Sequence, residues 1–293
     1  MSLELRWLAN VAPSSLHAAE AVLRGAPLTD AGTASAIAEQ AAAMGTLIES
    51  SGWDTAEFFR HAVPLSATFD QPVQWAKAVC AKLSGPGRTD DIARRLARQL
   101  DALQSAFCRQ NPHAAEELAL RVEPLRSQWE ARGPGLIAAL SRRTEPDLIV
   151  ATAGIILVHP VLGGAGAAHV LYNAARIEAV LVNPVADLPE VARLAWLIAQ
   201  LQLDVPRFDG GLHPRRLIEL WPLAMTPAVL AAAQDVELTR FDRETLATAV
   251  STWSSVEARP MVDTLSTWWE TYESSRPPWG VAIAALDRML LDA

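Results

Sequence analysis

The chain has 293 residues, of which 51% are hydrophobic and 20% are charged, and its formal net charge is −8. This length and apolar content exclude a disordered chain and allow either one large domain or two small ones with a sizeable core. The negative charge argues against nucleic acid as a partner, because proteins that bind nucleic acid normally present a basic face.

Helical patterns dominate the first half of the chain. The N-terminal residues MSLELRWLANVAPSS lack the long apolar region of a secretory signal, so we expect a cytoplasmic protein. Capping residues, apolar spacings of three and four, and Pro or Gly at each junction then predict a series of helices. They cover residues 29–50, 54–63, 72–85, 89–108, 113–132 and 136–143, with Gly133 and Pro134 between the last two.

The central stretch, residues 148–175, contains no charged side chain. A stretch this apolar belongs in a core, a membrane or the wall of a dry pocket. A membrane span needs about 18 to 20 continuous apolar residues. The first apolar run, Leu148 to Val158, has 11 and is followed by His159-Pro160 and a glycine cluster. We therefore predict a buried core segment and no membrane.

The secondary structure of the central stretch has two interpretations. β-Branched residues in 148–158 and a polar/apolar alternation from Arg176 to Val182 favour a β-hairpin over residues 148–182. Apolar spacing over 171–181 fits a helix as well. Both interpretations stay open, with the hairpin preferred.

Short helices are predicted to follow, over residues 188–201, 215–223, 227–236, 242–253, 260–272 and 278–291. The last three of these helices contain a cluster of tryptophans, Trp253, Trp268, Trp269 and Trp279. Aromatic clusters occur in interfaces as well as in cores. We expect these helices either to fill the core or to form a surface for self-association or a protein partner.

Together these patterns predict a mostly α, multi-helix globular domain with a small β-hairpin insertion around residues 148–182. One division of the chain gives an N-terminal helical region, 1–145, and a second region, 146–293, with the central stretch and the C-terminal helices. A single continuous domain fits equally well. The Ala- and Arg-rich composition is typical of a bacterial protein from a GC-rich genome.

Gly163, Gly164 and Gly166 follow the first apolar run. They predict a tight turn, in which glycine supplies a positive φ. A glycine-rich turn can also point N–H groups at a phosphate, so these glycines are candidate ligand contacts. The complete dinucleotide and P-loop motifs are missing from the sequence, and we predict no cofactor.

Arg176, Glu178 and Arg193 lie within apolar sequence. An unpaired buried charge is very costly, so we expect Glu178 to pair with Arg193 or Arg176. The alternative is a pocket in which Glu178 and Glu190 contact a ligand or act as acid and base, with Arg176 and Arg193 tuning their pKa values. The two glutamates are the candidate catalytic residues, and the two arginines are candidate ligand contacts.

The segment Pro189-Glu190-Val191-Ala192-Arg193 opens a predicted helix after the predicted hairpin. It resembles the HExxH segment of zinc metallopeptidases, in which two histidines one turn apart hold zinc and the glutamate activates water. The resemblance covers five residues, and only Glu190 matches. Pro189 and Arg193 replace the histidines and cannot coordinate zinc, so kinship would imply a site that has lost its metal ligands.

No other metal site is predicted. His159 and His169 are expected in the core or at its boundary, and the four histidines at 17, 61, 113 and 213 at the surface or at helix ends. Cys80 and Cys108 are too few for a disulfide framework and lack the spacing of a zinc site.

Familiar catalytic motifs, such as the GxSxG nucleophile segment and the kinase set, do not occur in the sequence. We therefore expect a noncatalytic interaction or scaffold protein that forms oligomers. The alternative is an enzyme or ligand-binding protein with its pocket near residues 163–193. The sequence leaves open whether the protein is an enzyme, and it identifies neither ligand nor partner.

Overall fold

The computed structural model describes residues 3–85, 90–203, 206–254 and 261–292. Within these residues, eleven α-helices and one four-stranded sheet form a mostly α, multi-helix fold, which confirms the predicted fold class. Residues 89 and 260, at which two helices were expected to begin, lie outside the described residues.

The first half of the chain contains one strand and six helices. They are β1 (Glu4–Ala9), α1 (Val11–Leu23), α2 (Ala31–Ser50), α3 (Thr55–Ser66), α4 (Pro72–Ser84), α5 (Asp90–Gln110) and α6 (Ala114–Arg143). The predicted caps are confirmed at two of these helices. Asp30 accepts hydrogen bonds from the N–H groups of Gly32 and Thr33, and Asp54 accepts one from Glu57.

The second half contains three strands and five helices. They are β2 (Thr152–Val158), β3 (Gly166–His169), β4 (Ala174–Glu178), α7 (Glu190–Ile198), α8 (Pro214–Asp235), α9 (Arg243–Trp253), α10 (Val262–Ser275) and α11 (Trp279–Leu291). A 3₁₀ turn over Val170–Tyr172 and a left-handed Asn173 connect β3 to β4.

Three prolines that were expected at helix boundaries lie inside helices: Pro64 in α3, Pro134 in α6 and Pro227 in α8. Pro222 is also internal to α8, within the helix predicted over residues 215–223. An internal proline costs a helix about 3 kcal/mol. In α8 nearly every side chain from Leu220 to Ala233 is buried, so tertiary packing offsets this cost.

The sheet differs from the predicted hairpin. Its strand order is β1-β2-β4-β3, with β1, β2 and β4 parallel and only β3 antiparallel to its neighbour β4. β2 and β4 lie in the two segments that were expected to form a hairpin, and they pair in parallel. The helical alternative over 171–181 is wrong, because β4 occupies this region. The edge strand β1 comes from residues for which no element was predicted.

The sheet lies between two layers of helices. Ile155, Leu157 and Ile177 point from one face into a core shared with α6–α11. From the other face, Arg176 and Glu178 reach side chains of α1, and a second core connects α1–α5. The sheet thus takes strands from both sides of residue 145, where the predicted division of the chain lies.

The central stretch is largely hidden from solvent, as expected. Leu148, Ile149, Val150 and every residue of β2 after Thr152 are buried. The part after Val158 is more mixed, and Leu171 is 65% exposed. Among the described helices, α8 is long and apolar enough to cross a membrane, but 78% of its most apolar window is buried within the protein.

The C-terminal tryptophans fill the core. Trp253, Trp268, Trp269 and Trp279 are all buried, and the last three pack around Tyr272 with ring centroids 5.2 to 6.0 Å from it. The indole rings of these four residues are therefore not available at the surface. Self-association through the C-terminal helices stays a prediction that other side chains would have to support.

Candidate functional site

Glu178, a candidate catalytic residue, ends β4 and is fully buried. Its Oε1 accepts hydrogen bonds from the N–H groups of Val161 (2.8 Å) and Leu162 (2.7 Å), and its Oε2 from Gly164 (2.5 Å) and Ala165 (2.9 Å). The loop after β2 thus closes around this carboxylate. The anion held by the glycine-rich turn is the protein's own side chain, in the manner of a backbone nest.

The predicted glycines permit this closure. Gly163 and Gly164 adopt φ values of +78° and +128°, which side chains disfavour. A Cβ on Gly164 would lie 2.5 Å from Cγ of Pro184, and one on Gly166 would lie 2.8 Å from Cδ1 of Leu197. These close approaches leave no room for a side chain at Gly164 or Gly166.

His17 supplies the fifth hydrogen bond to Glu178. Its Nε2 lies 2.8 Å from Oε1, and because a carboxylate only accepts, Nε2 carries the proton. Burial and the nearby Arg176 lower the pKa of His17, so the ring is neutral. Burial would raise the pKa of Glu178, but hydrogen bonds from His17, Ala165 and Gly164 outweigh it and lower the pKa to about 2.

Arg176 pairs with a residue that the sequence did not single out. Its Nη1 lies 2.5 Å from Oε2 of Glu20 on α1, and both residues are buried. Arg24, whose side chain lies at the protein surface, contacts the other oxygen of Glu20 at a distance of 2.6 Å. Burial would raise the pKa of Glu20, but the two arginines outweigh it and lower the pKa.

Glu190 and Arg193 pair with each other in the first turn of α7, and both are buried. Pro189 is the N-cap residue and lies outside the helix, so positions 189 and 193 do not form the helical pair that an HExxH site needs. Burial raises the pKa of Glu190 despite the neighbouring guanidinium. The Arg193 side chain runs close to Gly164 of the turn.

The expected pairing of Glu178 with Arg176 or Arg193 is therefore wrong, although each buried charge is compensated. Arg176 turns to Glu20, Arg193 turns to Glu190, and Glu178 is held by dipoles of the backbone and of His17. We call His17, Glu20, Arg176 and Glu178 the buried polar cluster. Both oxygens of Glu178 are occupied, so neither is free to contact a substrate.

Two of the histidines are placed differently from the expectation, and His113 and His213 lie at helix N-termini as predicted. His17 and His61, expected at the surface or at helix ends, are buried, whereas His169 is buried as predicted. His17 and Glu20 lie three residues apart in the apolar sequence SSLHAAEAVL, and this helical spacing was the signal that could have identified them. Among the described residues, no three His, Cys, Asp or Glu side chains are placed to hold a metal ion.

A cavity of about 720 Å³ lies beside the start of α7, between residues 185–188 and 237–248. Four of its lining residues are acidic: Asp187, Glu237, Asp242 and Glu244. Asp242 caps α9 through the N–H of Thr245, and Thr239 Oγ1 donates to the carbonyl of Asp187. These polar groups serve the local fold, and an apolar ligand would find little surface here.

A second cavity, of about 540 Å³, is an apolar groove next to β3. One wall is formed by the strand and the turn after it: Ala168, Val170 and Leu171. The other wall is formed by the chain before α8 and by α8 itself: Leu203, Pro206, Leu212, Leu217 and Ile218. Arg60 and Asp209 add one charge of each sign. We call this the β3 groove.

The β3 groove collects exposed apolar side chains. Leu171 and Ile218 are 65% and 48% exposed and belong to the few large apolar residues of the described chain that face solvent. Gln200, which is 7% exposed, adds an amide to the groove and donates to the carbonyl of Trp196. An apolar groove of this size with a few polar groups is the usual form of a binding site.

Two hydrogen bonds join α3 to the segment that forms the β3 wall of the groove. His169 Nδ1 lies 3.1 Å from the carbonyl of Arg60, and His61 Nδ1 lies 2.6 Å from the hydroxyl of Tyr172. Burial lowers the pKa of His169 to about 3, with a further contribution from Arg176, so the ring is neutral and donates through Nδ1. The wall is therefore ordered before anything binds.

Comparison with known protein families, curated proteins and solved structures gives no significant match.

Proposed function

We propose that the chain is a noncatalytic interaction protein that binds a segment of another protein in the β3 groove. The supporting observation is the coincidence of three features at one place. An apolar groove of about 540 Å³, the exposed side chains of Leu171 and Ile218, and the last strand of the sheet all adjoin one another.

The state of the candidate catalytic residues also favours a noncatalytic role. A general acid or base must reach the proton that it transfers. Glu178 is fully buried with five donors around its two oxygens, and Glu190 is 6% exposed and paired with Arg193. The arrangement of these groups is that of a structural cluster, which holds the loop after β2 against the sheet.

Burial of apolar side chains would supply most of the affinity. Filling the groove with one large aliphatic or aromatic side chain contributes about 1.5 to 3 kcal/mol. The wall of the groove is ordered in advance by His61 and His169, so binding loses less conformational entropy there. Several such contacts along an extended segment would give the moderate affinity that is typical of peptide recognition.

The test is a selection from a displayed library of random 12-residue peptides against the purified chain. The double variant Leu171→Glu/Ile218→Glu places two charges in the groove. The matched control Leu120→Glu/Val281→Glu changes residues that are 74% and 57% exposed and do not line the groove. All four side chains are exposed, so both variants are expected to fold, which circular dichroism and thermal melting verify.

We expect enriched peptides to bind the wild type and the control alike, and the groove variant at least tenfold more weakly. Tenfold corresponds to about 1.4 kcal/mol, less than one buried side chain contributes. The proposal fails if no peptide is enriched, or if enriched peptides bind the groove variant as well as the wild type. A wild-type dimer that the groove variant does not form would make a second copy the occupant and would also contradict the proposal.

A further inference from the structure

We infer that the partner segment binds as an added β-strand along the outer edge of β3, hydrogen-bonded to Gly166 and Ala168. The inference rests on the proposed function and specifies how the β3 groove recognises its partner. It follows from three observations: the direction of the backbone groups of β3, the position of the groove beside them, and the charges at its rim.

The backbone direction follows from the pairing of β3 with β4. The N–H of Glu178 donates to the carbonyl of Ala165. These two residues come one step before the first pair of the register, Gly166 opposite Ile177. In an antiparallel pair, residues that exchange hydrogen bonds alternate with residues whose N–H and C=O point away. Ala167 and His169 therefore face β4, and Gly166 and Ala168 face outward.

The outer edge of β3 has no partner strand among the described residues. β3 ends the order β1-β2-β4-β3, and no described backbone or side-chain group pairs with the outward groups of Gly166 and Ala168. These two residues are spaced two apart, which is the repeat at which an extended chain presents its own hydrogen-bonding groups. An edge of this kind is a template for another strand.

The groove lies where the side chains of an added strand would point. Ala168 belongs both to the outward edge and to the wall of the groove. In strand addition, main-chain hydrogen bonds hold the peptide, and its alternate side chains enter pockets beside the edge. A strand bonded to Ala168 would thus place an apolar side chain between Leu171 and Ile218.

The rim charges define the chemistry of the partner. Arg60 lines the groove on the β3 side, and no described carboxylate forms an ion pair with it. Asp209 lines the opposite side and accepts a hydrogen bond from the N–H of Gly211. The complementary occupant is an extended segment of another protein with an apolar residue flanked by an acidic residue, which reaches Arg60.

Amide hydrogen exchange of the full chain, measured by NMR, tests the strand addition directly. The probe is a peptide enriched in the selection described above. In the free protein, we expect the amides of Ala167 and His169 to exchange slowly and those of Gly166 and Ala168 to exchange rapidly. Saturating peptide should slow exchange of the Ala168 amide at least tenfold, while Ala167 and His169 provide the control within the same strand.

Peptides that are N-methylated at single positions provide a second test. If the peptide forms a strand, methylation at alternate positions should weaken binding at least tenfold, and methylation between them should change it little. Groove-dependent binding without this alternation, and without protection of Ala168, overturns the strand addition and leaves the proposed function intact. Failure to select any groove-dependent peptide overturns both.

Reversal of one charge tests the chemistry of the partner. Arg60→Glu should weaken peptides with an acidic residue beside the apolar one about fivefold or more. Peptides in which lysine replaces this acidic residue should bind Arg60→Glu more tightly than the acidic peptides do, which restores the lost affinity. The exposed Arg94→Glu on α5, which does not line the groove, is the matched control. Equal binding of both peptides to wild type and Arg60→Glu would remove Arg60 from the recognition.

Discussion

His17 Nε2 and Glu178 Oε1 lie 2.8 Å apart in the interior of the protein, although 161 positions separate the two residues in the sequence. The contact joins α1 to the end of β4. Glu178 also holds four N–H groups of the loop after β2, so one carboxylate ties a helix, a strand and a loop together. We regard this as the main polar constraint on the sheet.

Replacement of the central carboxylate should therefore be costly. We expect Glu178→Gln to lower the free energy of unfolding by about 3 kcal/mol or more, because hydrogen bonds to a buried charge are strong and the new amide NH₂ would face N–H donors. Urea denaturation followed by circular dichroism measures this. The control Glu49→Gln changes an exposed glutamate on α2 and should have an effect below about 0.5 kcal/mol. Equal effects of the two substitutions would show that the cluster contributes no special stability.

The glycine turn should be sensitive to any side chain. Gly164→Ala adds a Cβ only 2.5 Å from Pro184 at a φ of +128°, within the loop that holds Glu178. Gly52 also has a positive φ, +73°, but nothing lies within 4 Å of its added Cβ. We expect Gly52→Ala to cost about 1 kcal/mol from backbone strain alone and Gly164→Ala at least twice as much. Thermal and urea unfolding compare them, and similar costs would mean that Pro184 gives way.

Two glycines of α6 form a matched pair with opposite expected effects. Alanine in a helix is normally better than glycine by about 0.5 to 1 kcal/mol. A Cβ on Gly135 meets only Val236 at 3.6 Å, so Gly135→Ala should stabilise the protein by about that amount. A Cβ on Gly133 would lie 2.5 Å from the buried Trp129 ring, so Gly133→Ala should destabilise it. Melting temperatures that shift in the same direction for both would contradict this packing.

Stability should fall in mild acid because His169 is held neutral. Its pKa is about 3 in the folded chain and about 6.5 in an unfolded one. Below pH 6.5 the unfolded chain binds a proton that the folded chain does not, so the free energy of unfolding decreases until the pH approaches 3. At pH 5 this residue should account for about 2 kcal/mol of the loss relative to neutral pH.

The variant His169→Asn isolates this contribution. Its side-chain amide can still donate to the carbonyl of Arg60, but it does not titrate. Unfolding free energies of the wild type should drop more between pH 7.5 and pH 5 than those of the variant, by about 2 kcal/mol. If the two drops are the same, the pKa of His169 is not lowered in the folded chain, and the buried ring is protonated at pH 5.

Several features were readable from local sequence. The caps Asp30 and Asp54 fixed the starts of α2 and α3, because a short acceptor before an apolar-periodic run satisfies the free N–H groups of a first turn. The chargeless run Leu148–Val158 was correctly assigned to the core, because water disfavours apolar side chains, and only Ala151 and Thr152 within it are exposed. These are properties of a few neighbouring residues.

Partners across the sheet were not readable in this way. Arg176 and Glu178 were recognised as buried charges, but their partners Glu20 and His17 come from α1, more than 150 positions away. The same limit explains the misassigned hairpin: β2 and β4 are buried on both faces, so their sequences carry no mark of direction, and β1 was needed to complete the parallel order.

By itself, then, the sequence determined most of the helical segments, which segment must be hidden from water, and which charges need compensation, because these follow from side-chain chemistry and spacing within a turn or a strand. It did not predict α1. Only the tertiary structure decided which residue compensates each buried charge and that the glycine turn holds the chain's own Glu178. It also decided that an apolar groove opens beside the edge strand β3. These depend on contacts between distant segments, and their free energies arise only when the layers pack together.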